Sequence, residues 1–323
     1  MGKKEKMNNL TFIDLFAGIG GFRIALESFG LNCIYSSEWD KHAQKTYFEN
    51  FKEMPHGDIT KIKEESIPPH DILCAGFPCQ AFSVSGKQKG FKDTRGTLFF
   101  DVARIVKYHK PKVLFLENVK NFAKHDKGNT LQVILSTLEE IGYTPFYKVL
   151  NASDYGAPTR RERIYIIAFR NDLKIKNFEF PAPIEKEIYV KDILENKIKI
   201  EEFEIKREDI YIIKDQNQPL SMRPIQIGKI NNGGQGERIY SINGHAITLS
   251  AHGGGAASKT GAYLINGKIR KLTPRECARL MGFPDSFQIP VSNAQAYKQF
   301  GNSVSIQVLK NVSKEILAHL KEK

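Results

Sequence analysis

Four residues whose side chains could carry out a reaction stand at the ends of short apolar runs. Cys79 follows Pro78 just after one run, and Glu117 ends another. Arg161 and Arg163 belong to a charged group that introduces a further run. A thiol, a carboxyl group and a guanidinium at strand ends form a candidate set of nucleophile, acid and cationic clamp. The alternatives are a small buried cysteine, a helix-capping glutamate and a solvated charge run.

A glycine-rich turn near the start could bring backbone close to a ligand. Phe16, Gly18 and Gly20 lie in the string FAGIGG, and Glu38 follows at the end of the next apolar run. A carboxylate at that position can accept from both hydroxyls of a ribose. The third glycine of the dinucleotide pattern is missing, which favours an adenosine cofactor other than NAD. Asp58 could accept from an adenine amino group. A packing turn and an ordinary turn aspartate are the alternatives.

These residues need an α/β scaffold to bring them together. The first 180 residues alternate apolar runs with amphipathic stretches, which predicts a mostly parallel sheet covered by helices. Strands are predicted over residues 11–16, 33–37, 71–75, 113–116 and 163–169. Ligands of open α/β sheets bind at the carboxyl ends of strands, where the polar groups fall, except for the arginine group.

The chain changes character after about residue 190. Residues 192–215 hold five basic and eight acidic side chains, whereas residues 216–273 hold seven basic and one acidic. Ten of the 25 glycines lie within residues 228–267. This composition predicts a second, smaller domain of loops and short strands with one basic face. A solvated glycine-rich loop region is the alternative.

Helical patterns return towards the end of the chain. Thr273 to Glu276 forms a capping box with proline at the first helical position, and Gly282 is the expected stop. An apolar stripe from Val304 to Leu320 predicts a closing helix. That helix must cover an apolar surface, so we expect it to return to the first domain.

The overall charge favours a polyanionic partner. Lys and Arg total 48 against 36 Asp and Glu, a formal net charge of +12. The four cysteines are too few and too scattered for a disulfide framework, and no cluster has zinc spacing. No apolar run reaches eighteen residues, and no signal-peptide core is found. The sequence therefore predicts a reducing intracellular compartment, no membrane span and no metal.

Seven strings of residues together point to a known family. They are FAGIGG (16–21), EW (38–39), GDI (57–59), GFPCQAFSVSG (76–86), ENV (117–119), RRER (160–163) and QFGNSV (299–304). In this order, and across nearly the whole chain, they resemble the DNA cytosine-5 methyltransferases. The resemblance implies the Rossmann-like fold of S-adenosylmethionine-dependent methyltransferases. It also implies a catalytic domain of residues 1–191 plus 302–323, a target-recognition domain of residues 192–273 and a hinge region of residues 274–301.

The resemblance assigns a role to each catalytic candidate. Cys79, as thiolate, would attack C6 of a cytosine. Glu117 would hold a proton at N3, and Arg163 would donate to O2 with support from Arg161. Pro78 would fix the backbone beside the base. The methyl group would then pass to C5 without a metal.

The resemblance also implies a pocket for S-adenosylmethionine. Its residues would be Phe16, Gly18, Gly20, Glu38, Trp39, Asp58, Ile59, Asn302 and Val304. Glu38 would bind the ribose, Trp39 and Ile59 the adenine faces, and Asp58 the adenine amino group.

Double-stranded DNA is the implied substrate, and its target cytosine must be flipped out of the helix. Ser85 would enter from the minor groove, and Gln235 would fill the vacated space and pair with the orphan guanine. Arg238 suits a contact to guanine, and Thr248 suits a phosphate. The strings around these residues lead us to expect the target GCGC, methylated at its first cytosine.

The expected setting is a prokaryotic cytoplasm, with a monomeric enzyme and a cognate restriction endonuclease that forms no stable complex with it. Three other functions are weighed against this interpretation. A tRNA cytosine-5 methyltransferase shares the first domain, but the glycine-rich strings at 233–261 match the DNA-reading branch. A catalytically silent DNA-binding protein conflicts with the intact catalytic positions. A nicotinamide-dependent oxidoreductase conflicts with the incomplete glycine pattern.

Overall fold

The computed structural model describes residues 10–78, 98–215 and 217–321. Its larger sheet contains β1 (Thr11–Leu15), β2 (Asn32–Ser37), β3 (Ile72–Gly76), β4 (Val113–Val119), β5 (Tyr143–Asn151) and β6 (Glu162–Arg170). The strand order is β2-β1-β3-β4-β6-β5. Strands β1 to β4 are parallel to their neighbours in this group, which confirms the predicted mostly parallel sheet.

Strand β6 runs against β4 and β5, between which it lies. Its register pairs Arg163 with Val119 and Tyr165 with Glu117. Because β6 is reversed, its first residues lie at the same edge of the sheet as the carboxyl end of β4. This reversal explains how a charged group before a strand joins polar groups that follow other strands.

Helices cover both faces of this sheet. The helices of the described residues are α1 (Gly21–Glu27), α2 (Lys41–Phe51), α3 (Leu98–His109), α4 (Asn129–Glu140), α5 (Pro274–Met281), α6 (Asn293–Asn302) and α7 (Ile306–Lys321). Of these, α5 and α6 pack on each other. Side chains alternate between the two faces along each strand. Phe12 and Phe115 join the core beneath α1 and α7, whereas Ile13 and Leu114 join the core beneath α3 and α4.

A second sheet follows in the chain. It contains β7 (Ile210–Ile212), β8 (Gln226–Ile230), β9 (Arg238–Ser241), β10 (Ala262–Ile265) and β11 (Lys268–Lys271), in the order β11-β10-β9-β8-β7. Ile227, Ile230 and Ile239 form a small core of its own, while Tyr240 and Tyr263 join the main core. Short strands were expected in this region. The domain boundaries proposed from the sequence stay a prediction.

The predicted helix ends agree with the structure at α5. Thr273 and Glu276 form the capping box, and Gly282 ends the helix in the left-handed conformation, with φ 84°. Helix α7 begins only at Ile306, so Val304 lies before it rather than on its apolar stripe. Val304 packs instead on the glycine turn, where a Cβ added to Gly21 would come within 2.5 Å of its Cγ2 atom.

Candidate active site and cofactor cleft

A cleft of about 620 Å³ opens at the carboxyl edge of β1 to β4. Twelve of the predicted site residues that the structure describes line it. They are Phe16, Gly18, Glu38, Trp39, Asp58, Ile59, Pro78, Glu117, Arg161, Arg163, Asn302 and Val304. The structure thus brings together residues that are up to 288 positions apart in the sequence, because strand ends and the α6–α7 connection meet at this edge.

Glu38 is held by the glycine turn. The backbone N–H of Gly18 donates to Glu38 Oε2 at 2.8 Å, and the N–H of Asp40 donates to Oε1 at 2.8 Å. Burial raises the pKa of the Glu38 carboxyl, while these backbone donors oppose the rise. Gly18 has φ 56°, and a Cβ added there would meet no atom within 4 Å. The turn therefore fixes the carboxylate and leaves open space beside it.

Gly20 does not line the cleft. It adopts φ 85°, and an added Cβ would lie 2.3 Å from the Phe51 ring. Glycine is needed here because the chain must turn left-handed directly against the partly buried ring of Phe51. Its observed role is to start α1 and let it pack on α2, behind the predicted cofactor site.

Trp39 stands at the mouth of the cleft with 78% of its surface exposed, while Ile59 is buried in the wall. Asp58 lies between the wall and solvent. Its Oδ1 atom accepts from the Thr60 hydroxyl at 2.8 Å, and this hydrogen bond lowers the pKa of the Asp58 carboxyl. An exposed indole and an ionised carboxylate at one cleft wall can bind a planar base that carries an amino group.

Pro78 is the last described residue before the nucleophile candidate. Cys79 and Ser85 lie outside the described residues. The backbone that leads to Cys79 is fixed from β4, because the Asn118 side-chain amide donates to the Phe77 carbonyl at 2.9 Å. Asn118 was missed as a site residue, although it stands in the string ENV.

Glu117 and Arg163 face each other across β4 and β6. Arg163 Nε lies 3.2 Å from Glu117 Oε1, and the two side chains are 15% and 10% exposed. Burial raises the pKa of the Glu117 carboxyl, and the charges of Arg163 and Arg161 partly offset that rise. A carboxyl that retains a proton more readily than usual, beside a guanidinium, can act as a proton donor.

Arg161 is buried and serves as a connector. Its Nη2 atom donates to the carbonyls of Gly301, at 3.1 Å, and Ser303, and its Nη1 atom donates to Leu249 at 3.4 Å. Burial lowers the pKa of its guanidinium to about 9, with the nearby Arg163 charge adding to the effect. Arg161 therefore joins β6 to the connection that carries Asn302 and to a segment of the second sheet region.

Lys298 and His252 also line the cleft, although neither was singled out as a site residue. Lys298 Nζ forms an ion pair with Asp40 Oδ2 at 2.7 Å, which ties α6 to the start of α2 beside Trp39. The two partners are 258 positions apart, so no local pattern could reveal the pair. His252 reaches the cleft from the loop after Leu249, and only the fold shows this.

The three predicted DNA-binding residues that the structure describes lie away from the cleft and are exposed. Gln235 is in the loop between β8 and β9, and Arg238 begins β9, where its Nε atom donates to the Gly233 carbonyl at 3.4 Å. The Thr248 hydroxyl donates to the Arg160 carbonyl. All three positions leave side-chain atoms accessible to a large ligand.

The described residues show neither a metal-binding cluster nor a membrane-spanning helix. Residues 10–78, 98–215 and 217–321 contain no group of three or more His, Cys, Asp and Glu that could hold a metal ion. Over the same ranges no helix is both long and apolar enough to cross a membrane.

Comparison with known proteins gives consistent matches. The profile of a family described as C-5 cytosine-specific DNA methylase matches residues 10–318. The type II methyltransferase M.HhaI of Haemophilus parahaemolyticus is 59% identical over 97% of this chain and 96% of its own length. M.HpaII of Haemophilus parainfluenzae is 46% identical over 96% of this chain and 90% of its own.

Solved structures show the same fold at much lower identity. The Dnmt2 methyltransferase of S. pombe superposes with a TM-score of 0.71 at 17% identity, covering 96% of this chain and 99% of that one. The methyltransferase EhMeth of Entamoeba histolytica gives a TM-score of 0.70 at 20% identity, covering 97% and 99%. At such identities the likeness concerns the fold alone.

Proposed function

This chain belongs to the C-5 cytosine-specific DNA methylase family, and from that premise we propose that it methylates the first cytosine of GCGC in duplex DNA through Cys79. Family membership makes it a DNA cytosine-5 methyltransferase that uses S-adenosylmethionine. The target sequence, the nucleophile and the role of each site residue are our proposals.

One observation carries the mechanism. Glu117 and Arg163 meet at 3.2 Å at the rim of the cleft, beside Pro78, the residue that precedes Cys79. A thiolate that attacks C6 of cytosine drives negative charge into the ring, towards N3 and O2. A proton donor and a guanidinium side by side suit those two atoms.

The proposed reaction proceeds in three steps at the ring. The Cys79 sulfur forms a bond to C6 while Glu117 delivers a proton to N3 and Arg163 donates to O2. The resulting enamine is nucleophilic at C5 and accepts the methyl group. Loss of the C5 proton, departure of the Cys79 thiolate and return of the N3 proton to Glu117 then restore the aromatic ring and the starting state of the enzyme. Arg161 supports this step by holding the segment from which Arg163 projects.

S-adenosylmethionine supplies an electrophilic methyl group when bound. The cleft residues fit it: Glu38 keeps carboxylate oxygens beside open space, Trp39 offers an uncovered aromatic face, and Asp58 is an acceptor at the same wall. We assign Phe16, Gly18, Ile59, Asn302 and Val304 to the same pocket. Gly20 acts indirectly, by allowing the turn.

We assign sequence reading to residues 192–273. Gln235 would fill the space left by the flipped cytosine, Arg238 would contact a guanine edge, and Thr248 would bind a phosphate. Their exposure outside the cleft supports contact with a duplex that cannot enter it. Ser85 is assigned to the minor-groove side on family resemblance alone.

The relatives named above are type II methyltransferases. We therefore infer that a restriction endonuclease cutting the same site accompanies this enzyme, without a stable complex between them. The described residues that line the cleft all belong to one chain, which supports action as a monomer.

Bisulfite sequencing tests the proposed function. An unmethylated plasmid is incubated with the protein and S-adenosylmethionine, and protection confined to the first cytosine of GCGC is expected. Protection at another short motif would disprove GCGC as the target but would still support cytosine-5 methylation of DNA. Absence of protection, with methyl transfer into a tRNA pool run in parallel, would favour the RNA alternative.

The matched control is Cys79→Ala. It should lose turnover by at least about 10³-fold while its Kd for a GCGC duplex changes little, since the thiol acts in a bond-forming step and not in docking. Methylation that persists in this variant would remove Cys79 from the mechanism.

A further inference from the structure

Two glycine-containing loops of the second sheet region contact each other through their backbones. The first, residues 231–237, joins β8 to β9 and carries Gln235. The second, residues 252–258, carries His252 at one end. The N–H of Ala257 in the second loop donates to the carbonyl of Gly236 in the first at 2.8 Å. The position of one loop is thereby tied to the other.

The contact leaves no room for side chains. A Cβ added to Gly236 would lie 2.3 Å from the Gly254 carbonyl oxygen, and one added to Gly255 would lie 2.7 Å from the Gly236 carbonyl oxygen. Both glycines also have left-handed backbone, with φ 88° and 94°. Atoms this close must shift if a side chain is introduced, and the obstacles are backbone atoms that move only with their loops.

Glu237, the last residue of the first loop, stabilises that loop through hydrogen bonds to its other residues. The Glu237 carboxylate accepts from the Gly234 N–H at 3.0 Å and from the Asn231 side chain at 3.2 Å. Its backbone carbonyl accepts from Ile230 at 2.7 Å. The backbone around Gln235 is therefore held in two ways. The hydrogen bonds of Glu237 fix the loop internally, and the Gly236–Gly255 contact fixes it against the second loop.

The second loop is anchored in turn. Ala257 is fully buried in the core formed with Ile227, Ile230 and Ile239. At the other end of the loop, His252 lines the cleft that holds Glu117 and Arg163. The second loop thus extends from the catalytic cleft to the first loop, residues 231–237, which we call the recognition loop.

We propose that Gly236 and Gly255 are positioning residues for the recognition loop, setting the placement of Gln235 relative to the catalytic cleft through their backbone contact. The inference rests on the proposed function for the role of Gln235, while the contact itself does not. It assigns a task in DNA recognition to two residues that cannot touch DNA through a side chain.

Three neighbouring alanine variants separate this role from general loop strain. Gly255→Ala forces its Cβ against the Gly236 carbonyl. Gly254→Ala places a Cβ in open space without a left-handed φ, and Gly253→Ala tests a left-handed φ of 139° with no contact closer than 3.9 Å. Only Gly255→Ala combines a strained left-handed backbone with a Cβ that must displace the recognition loop.

The first measurement is amide hydrogen exchange at Ala257, whose N–H is bonded to Gly236. We expect protection in the wild type, Gly253→Ala and Gly254→Ala, and at least a tenfold loss of protection in Gly255→Ala. Equal protection in all four proteins would overturn the proposed contact, and it would do so without reference to any catalytic activity.

The second measurement is methylation of a GCGC duplex under single-turnover conditions. Gly255→Ala should lose about 10- to 100-fold in kcat/KM for DNA, as expected for a small misplacement, with its Kd for S-adenosylmethionine unchanged within twofold. Gly254→Ala should match the wild type. Wild-type rates in Gly255→Ala, or an equal loss in Gly253→Ala, would overturn the positioning role. A wild type that methylates no DNA would instead contradict the proposed function.

Discussion

Glu117 shows how one residue can be prepared for a reaction by its surroundings. The side chain is only 10% exposed, so its charged form loses contact with water, and the pKa of its carboxyl rises. The positive charges of Arg163 and Arg161 act in the opposite direction and lower the pKa of the carboxyl. The balance gives a carboxyl that can hold a proton for N3 and still release it.

Glu117→Gln should reduce the methylation rate by about 10²- to 10⁴-fold, because the amide cannot deliver a proton. In the wild type, kcat/KM should fall as pH rises through the elevated Glu117 pKa, since the protonated form is lost there. The glutamine variant should lack that alkaline decline. Rates measured across pH for both proteins test this.

Glu162→Gln is the matched control. Glu162 lies next to Arg161 and Arg163 but bonds to Lys120 at 2.8 Å and is 30% exposed. It should keep near-wild-type rates and an unchanged pH profile. Similar losses in both variants would show that any charge change at this edge impairs the enzyme and would argue against the proton-donor role.

Sequence reasoning named twelve residues that line the cleft, because their motifs are local. Cys79, Glu38 and Glu117 each follow an apolar run, and the run itself predicts the strand that presents them. Lys298 and Arg161 were different. Lys298 was missed, and Arg161 was predicted only to support Arg163. Their partners lie 258 and up to 142 positions away, and such contacts exist only after folding.

At the scale of elements, α5 is fixed by a buried ion pair. Arg270 on β11 donates twice to the Glu276 carboxylate, both times at 2.7 Å, and the two side chains are 3% and 0% exposed. The same carboxylate accepts from the N–H groups of Thr273 and Glu195. One side chain thus caps a helix and joins it to the second sheet.

Glu276→Ala should lower the free energy of unfolding by about 3–5 kcal/mol, because it leaves Arg270 buried and unpaired. The melting temperature should fall by about 5–10 °C. Asp285→Ala removes the exposed partner of Arg279 near the same helix and should cost at most about 1 kcal/mol. Thermal unfolding of both variants tests this prediction. Equal losses of unfolding free energy in the two variants would contradict the idea that burial makes the Arg270–Glu276 pair important.

Element ends were easier to predict than element directions. The capping box at Thr273 and the stop at Gly282 are set by neighbouring residues, and both are confirmed. The reversal of β6 depends on its pairing with β4, about 50 positions earlier in the chain. No local sequence pattern indicates the direction of β6. The location of Arg163 beside Glu117 could therefore be seen only in the structure.

At the scale of the whole molecule, charge is the dominant feature. The chain carries a formal net charge of +12, and residues 216–273 alone hold seven basic side chains against one acidic. A duplex that contacts such a surface releases condensed counterions when it binds. The cofactor cleft is different, since Glu38, Asp40 and Asp58 contribute acidic groups to its walls.

Binding of a GCGC duplex should therefore weaken steeply with salt, by about 10³-fold or more between 50 and 200 mM if six or more phosphates are contacted. Fluorescence anisotropy titrations at several salt concentrations give the slope. The Kd for S-adenosylmethionine, measured under the same conditions, should change far less. A shallow slope for DNA would contradict binding through the basic surface.

The packing of α7 on α1 has a consequence for biosynthesis. Val308, Val312 and Ile316 pack in the same core as Phe22 of α1 and Phe115 of β4, yet α7 emerges from the ribosome about 190 residues after β4. At ordinary translation rates that interval is roughly 10–40 s. Throughout it, the nascent chain displays an aromatic surface that its own later residues will cover. Chaperone binding to the growing polypeptide should be strongest in this interval and should end when α7 docks.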